Sequence, residues 1–141
     1  MATSRLIAFI NSADICKYWV LICFHIIGDF ILQTDFLANA KTYKFWKDLH
    51  DKTYKNKDHP IIDPIKDWIM PMLAHSFLWS FCVHYPIIIS SKSNPAVIAL
   101  SIGIHTGIHF AIDNGKANLK SYGLFGDQLF HLLQLLMLIF L

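Results

Sequence analysis

The chain has 141 residues, of which 55% are hydrophobic and 16% are charged, and its formal net charge is +2. A soluble domain of this size needs more charged surface, and a nucleic-acid-binding surface needs a larger cationic excess. The three cysteines are odd in number and lack paired metal spacing, so nothing indicates a disulfide framework. The composition therefore argues against a soluble domain and against a nucleic-acid-binding protein. It favours a single domain, residues 1–141, embedded in a lipid bilayer.

Four apolar segments are long enough to cross a membrane as helices of about 20 residues. The predicted spans are 15–36, 64–90, 95–113 and 124–141. Asp63 and Asn94 are each followed by proline, which is typical of a helix start, and Asn114-Gly115 is typical of a helix stop. A polar segment, 41–63, separates the first two spans and is the expected site of a surface helix or a cap. The other connections are short, which predicts an all-α, antiparallel four-helix membrane bundle.

Lysine placement predicts the orientation of this bundle. One side of the membrane receives the long polar segment together with Lys116 and Lys120, whereas the other receives Arg5, Lys17 and Lys92. Cytoplasmic loops carry an excess of lysine and arginine. The lysine-rich loop is therefore expected in the cytoplasm and both termini outside, in an inner (cytoplasmic) membrane.

Three of the aspartates inside the predicted spans, Asp29, Asp113 and Asp127, each have a histidine four residues away. Four residues is slightly more than one helical turn, so the two members of each pair share a helix face. Charged residues inside a membrane normally face the bundle interior and have partners. The pairs are His25/Asp29, His109/Asp113 and Asp127/His131, and the second span adds His75.

The antiparallel arrangement brings these polar groups to the same half of the membrane. Imidazole and carboxylate together suit one or two divalent ions, zinc first, with manganese or iron as alternatives. Gln33 and Gln128 are expected around the ligands or at the substrate, and Lys116, near the face of His109, is expected to attract an anionic group. The alternative for any single pair is an interhelical hydrogen bond without metal.

The same residues resemble an uncharacterised family of small polytopic membrane proteins of bacteria and their phages. The matching strings are His25-Ile-Ile-Gly28-Asp29-Phe30-Ile-Leu-Gln33, Leu73-Ala-His75-Ser76, His109-Phe-Ala-Ile-Asp113-Asn-Gly-Lys116 and Phe125-Gly-Asp127-Gln128-Leu-Phe-His131. The resemblance runs from about residue 20 to 135 and skips the long polar segment. It implies the site residues rather than an activity. The His75-Ser76 element is also loosely similar to membrane-bound metal-dependent hydrolases.

Together the patterns predict a membrane-embedded metal-dependent hydrolase acting on a phosphorylated or lipid-linked substrate at the cytoplasmic face. Lys116, Gln33 and Gln128 would contact substrate. One alternative is a proton or divalent-metal transporter that uses the same residues as a relay. Another is a small phage or bacterial accessory protein that binds a host membrane protein and holds a structural metal. Haem is a weaker alternative, because Arg5 is the single arginine available to the propionates. Four short helices leave much apolar surface, so a homo-oligomer is a further expectation.

Overall fold

The computed structural model describes residues 12–54, 62–90 and 94–139. Throughout these ranges the ordered elements are helices, and no strand occurs among them. In chain order they are α1 (Ser12–Ile26), a π-helical turn (Ile27–Ile31), α2 (Asp35–Ala40), α3 (Tyr43–Thr53), α4 (Ile69–Ser90), α5 (Pro95–Ala117) and α6 (Leu124–Leu138). The all-α prediction is confirmed. In the described part of the chain, α4 and α5 are long and apolar enough to span a membrane.

The first helical segment ends earlier than the predicted span 15–36. The N–H of Leu32 bonds to the carbonyl of Ile27 at 2.9 Å, which closes a π-helical turn instead of continuing the α-helix. Thr34 is then extended and caps α2 by accepting a hydrogen bond from the N–H of Leu37. The predicted single helix is therefore an α-helix, a π-helical turn and a separate short helix.

The polar segment contains the surface helix that the sequence predicted, namely α3. Thr42 caps this helix by accepting a hydrogen bond from the N–H of Phe45. The N–H of Tyr43 donates to Asn118 Oδ1 at 2.8 Å, and Asn118 Nδ2 donates to the carbonyl of Lys41 at 3.3 Å. These bonds fix the corner between α2 and α3 to the carboxyl end of α5.

The remaining helix ends agree with the sequence in part. Asn94 caps α5 through the N–H of Ala96, as its position before proline predicted. The predicted second span, 64–90, begins with turns, and its α-helix starts only at Ile69. The predicted fourth span, 124–141, is helical to Leu138, and residues 140 and 141 lie outside the described ranges.

The predicted stop at Asn114-Gly115 is wrong, because α5 continues to Ala117. A Cβ on Gly115 would lie 2.5 Å from the hydroxyl oxygen of Tyr122. That hydroxyl donates a hydrogen bond to the carbonyl of Ile112. Gly115 therefore serves the close approach of the α5–α6 connection, and this approach sets where α6 begins.

The bundle buries an apolar cluster beside a large polar one. Leu21, Trp79, Val83, Leu135 and Leu138 form the apolar core between α1, α4 and α6. Many large apolar side chains point outward, and Phe125 is 85% exposed. The polar cluster lies at the end of the bundle that α2 and α3 approach, because it includes Lys41 and Asp113.

Candidate metal centre

Six of the seven predicted ligand residues converge inside the bundle, and each comes from an element that packs against the others. Their positions are Asp29 on the π-helical turn, His75 on α4, His109 and Asp113 on α5, and Asp127 and His131 on α6. All six side chains are buried, and the most accessible, Asp29, is 8% exposed. The fold therefore brings these six residues together.

Asp29, His75, His109 and Asp113 form the first ligand group, in which four potential ligand atoms lie within 4.8 Å of one another. His75 Nε2 lies 3.4 Å from Asp29 Oδ1 and 3.3 Å from Asp113 Oδ2. It also lies 3.3 Å from His109 Nε2. Three helical elements thus direct two nitrogens and two carboxylates at one point.

Asp29, Asp127 and His131 form the second ligand group, under the same 4.8 Å spacing. His131 Nε2 lies 3.5 Å from Asp127 Oδ1 and 3.2 Å from Asp113 Oδ1. Asp29 belongs to both groups, and Asp113 reaches from the first group to His131. The two groups therefore adjoin each other and share a carboxylate.

These distances fit a divalent metal. Ligands bonded at 2.0–2.1 Å around a tetrahedral zinc ion lie about 3.3 Å from one another. Four nitrogen–oxygen distances within the two groups are 3.3 to 3.6 Å. Asp127 Oδ1 is buried and has no hydrogen-bond partner among the described residues. The donor set of imidazole and carboxylate suits zinc, manganese or iron.

The π-helical turn brings Asp29 close to α4. A Cβ on Gly28 would lie 3.3 Å from both Trp79 Cα and Cys82 Cβ, so a larger residue would push the turn outward. π-Helical turns occur often at functional sites because the extra residue redirects the side chains that follow. Here the turn aims the Asp29 carboxylate at His75 on the facing helix.

The structure places His25 beside the ligand groups rather than in them. Its Nδ1 accepts a hydrogen bond from Trp79 Nε1 at 2.8 Å, so the ring proton lies on Nε2. That nitrogen faces Gln128 Oε1 at 3.0 Å, and Gln128 Nε2 donates to Asp29 Oδ2 at 3.0 Å. Both ring nitrogens of His25 are thus occupied, and we assign His25 and Gln128 to orienting Asp29 rather than to metal ligation.

Two lysines reach the carboxylates of the ligand groups. Lys116 Nζ lies 2.6 Å from Asp127 Oδ2, and Lys41 Nζ lies 2.5 Å from Asp113 Oδ2. Lys41 also donates to Gln33 Oε1 at 3.0 Å, so the predicted site residue Gln33 lies beside Lys41. Sequence reasoning missed Lys41, because nothing distinguishes it from the other lysines of the polar segment. Its side chain is 9% exposed, which sets it apart in the structure.

Aromatic rings pack against the ligand histidines. The ring of Trp79 stacks on His109 with centroids 4.2 Å apart, and His109 stacks on His131 at 4.3 Å. Such stacking restricts the rotamers of both imidazoles, since the interior is close-packed. Trp79 was also missed, because a tryptophan in an apolar helix resembles any lipid-facing aromatic.

A second buried polar group, the distal histidine cluster, comprises His84, Ser101, His105 and Gln134. His84 Nε2 lies 2.8 Å from Ser101 Oγ, and Gln134 Nε2 donates to the carbonyl of His105 at 2.8 Å. The two imidazoles meet edge to face with centroids 5.2 Å apart. The structure thus joins His84 and His105 in a cluster separate from the two ligand groups.

Tyr122 adjoins the site from the α5–α6 connection. Burial raises the pKa of its phenol, and the nearby Asp127 and Asp113 carboxylates act in the same direction. The neutral phenol is thereby kept as the donor to the carbonyl of Ile112.

Comparison with known proteins adds no relative to this description. No protein-family model, no curated protein and no solved structure matches the chain.

Proposed function

We propose that this protein is a membrane-embedded, metal-dependent hydrolase with a two-ion centre. The observation that carries the proposal is the pair of adjoining ligand groups that share Asp29. Sites that hold two metal ions side by side are suited to the displacement of a leaving group at phosphoryl and carbonyl centres. The substrate class is a phosphorylated or lipid-linked molecule.

The membrane setting is supported by the helices and by their outer surfaces. α4 and α5 have the length and apolarity of spanning segments. Outward-facing residues such as Phe125, Trp19 and Leu100 form an apolar surface that a bilayer would cover. We extend this to four spans by adding α1 with its π-helical turn and α6. In that arrangement the ligand groups lie near the cytoplasmic face, beneath the lysine-rich segment.

Ions held by the two ligand groups would supply Lewis-acid polarisation and a hydroxide nucleophile at neutral pH. The protein's own residues would perform the remaining tasks. Gln128 would orient Asp29, and the ring of Trp79, which belongs to the apolar core, would hold His109 in place. Lys116, whose side chain is 34% exposed, offers a cation where substrate would enter from the interface.

The proposal is tested by metal analysis joined to an activity assay. The detergent-purified protein is stripped with chelator, reloaded with zinc, manganese or iron(II), and assayed on a panel of phosphate monoesters and lipid phosphates. We expect two tightly bound ions per chain and hydrolysis that depends on them. His131→Gln should abolish both, whereas His50→Gln, at a partly exposed histidine of α3, should not. Substoichiometric metal that washes out without loss of fold would overturn the proposal.

Transport is a second candidate, and the distal histidine cluster is the observation that favours it. Ser101, His105, His109 and Asp113 recur every four residues on α5, so polar groups extend for roughly 18 Å along this helix. A hydrocarbon core is about 30 Å thick, so this path covers much of the membrane. Proton or divalent-metal flux in liposomes that is lost in His84→Phe, with metal occupancy unchanged, would favour transport over hydrolysis.

A further inference from the structure

We infer that Lys41 and Lys116 form an anion-binding pair and that the group they bind is a phosphate carrying at least two negative charges. The inference rests on the proposed function and deepens it, because it names the substrate class that the metal centre would accept. Lys41 comes from the corner between α2 and α3, and Lys116 comes from the last turn of α5. The two ammonium groups thus approach one site from two independent elements.

The two lysines reach carboxylates that belong to the same site. Lys41 contacts Asp113 and Lys116 contacts Asp127. His131 Nε2 lies within 3.5 Å of both of these carboxylates. The ammonium groups therefore border the ligand groups themselves and not a separate surface.

Formal charge indicates what the complete site must bind. Three carboxylates and two ammonium groups leave the metal-free site at −1 when its histidines are neutral. Two divalent ions would change this to a net charge of +3. Buried charge is costly unless an opposite charge accompanies it. A single hydroxide or carboxylate removes too little of this excess, whereas a phosphate monoester dianion removes most of it.

The hydrogen-bonding capacity of Lys41 agrees with this role. An ammonium group has three donors, and Lys41 uses two of them within the described residues, on Asp113 Oδ2 and Gln33 Oε1. The backbone of Lys41 is held in place, because its carbonyl accepts a bond from Asn118 and Asn118 also binds Tyr43. Lys41 is therefore a preorganised donor at the site rather than a free surface lysine.

The test measures binding of inorganic phosphate to zinc-loaded protein in detergent by calorimetry, with bound metal counted in the same samples. Lys41→Met and Lys116→Met should each weaken phosphate binding by about tenfold or more, because each removes a charge-assisted bond. Because both lysines contact ligand carboxylates, bound zinc is counted in each variant and phosphate affinity is compared at full zinc loading. Lys44→Met is the matched control, since this lysine of α3 is 80% exposed and pairs with Asp48. Lys41→Arg should retain binding and shows whether a loss in Lys41→Met reflects the missing charge or a folding defect.

The outcomes separate the inference from the proposed function. Wild-type protein without bound zinc would remove the proposed function itself. Bound zinc with phosphate affinity within twofold of wild type in both methionine variants would overturn the anion-binding pair alone. Nanodiscs with and without phosphatidic acid identify the source of the phosphate. If phosphatidic acid in the nanodisc lowers the affinity for inorganic phosphate, the site binds a lipid headgroup. If the affinity is the same with and without phosphatidic acid, the site binds a free phosphate compound.

Discussion

Replacing Asp29 with asparagine is the most direct test of the shared ligand. The substitution keeps the size of the side chain but removes the carboxylate that belongs to both ligand groups. Loss of a residue that only orients a ligand already weakens metal binding by 10–100-fold. Removing a shared ligand should therefore cost at least about 100-fold in affinity, or about 2.7 kcal/mol. Because both groups lose a ligand, both ions should be affected.

Competition with a chromophoric chelator measures this effect for zinc in detergent. Asp48→Asn is the matched control, because Asp48 lies on α3 and pairs with Lys44 outside the bundle. Helical content measured by circular dichroism distinguishes loss of metal from loss of fold. If Asp29→Asn bound two ions with wild-type affinity, the assignment of Asp29 as a bridging ligand would be wrong.

Three further predictions concern the surroundings of the site. Gly115→Ala would bring a methyl group against the Tyr122 hydroxyl, now 2.5 Å from that position, and should lower the free energy of unfolding by about 1–3 kcal/mol in thermal denaturation. A wild-type midpoint would contradict this packing argument. Trp79→Phe keeps a ring against His109 but removes the donor to His25, which should cost about 1 kcal/mol in the same assay. Because the pKa of Tyr122 is raised, its contribution to stability is complete below about pH 10 and is lost as the pH rises through the folded-state pKa. Tyr122→Phe should therefore lose less stability than wild type on passing from about pH 9 to pH 11, whereas identical losses would show that the phenol does not titrate in this way.

The convergence of the ligand residues was predictable because it depends on two regular features, the residue spacing along a helix and the antiparallel order of the helices. Residues four apart share a helix face, and antiparallel spans bring early positions of one helix to late positions of the next. These rules place His109 with Asp113 and Asp127 with His131, and the structure brings both pairs together. A pattern spread over four helices thus carries more information than any one pair.

The parts that the sequence did not predict depend on contacts between distant residues. His25 has the same spacing to Asp29 as the ligand histidines have to their partners, yet Trp79 and Gln128 occupy its nitrogens. Lys41 reaches Asp113 from the corner between α2 and α3, where Asn118 binds the Lys41 carbonyl. The Asn114-Gly115 pair resembles a helix end, but in the structure the glycine makes room for another side chain.

The spacing of the histidines and carboxylates leaves room for a metal ion between them. If protons alone joined these groups, charge-assisted N–H···O bonds of about 2.7–2.9 Å would be expected. His75 to Asp29, His109 to Asp113 and His131 to Asp127 instead measure 3.4, 3.6 and 3.5 Å, whereas His131 to Asp113 measures 3.2 Å and is a hydrogen bond.

The lysine contacts to the same carboxylates measure 2.5 and 2.6 Å, so the wider spacing is not a general looseness of this region. Three imidazole–carboxylate distances match those of ligands around a central ion, and the ammonium groups lie at the distance of direct hydrogen bonds. Metal removal should therefore loosen the helices around His75 and His131, which hydrogen exchange with and without zinc would detect as faster exchange in the apo protein. Equal exchange in both states would support a cluster held by protons alone.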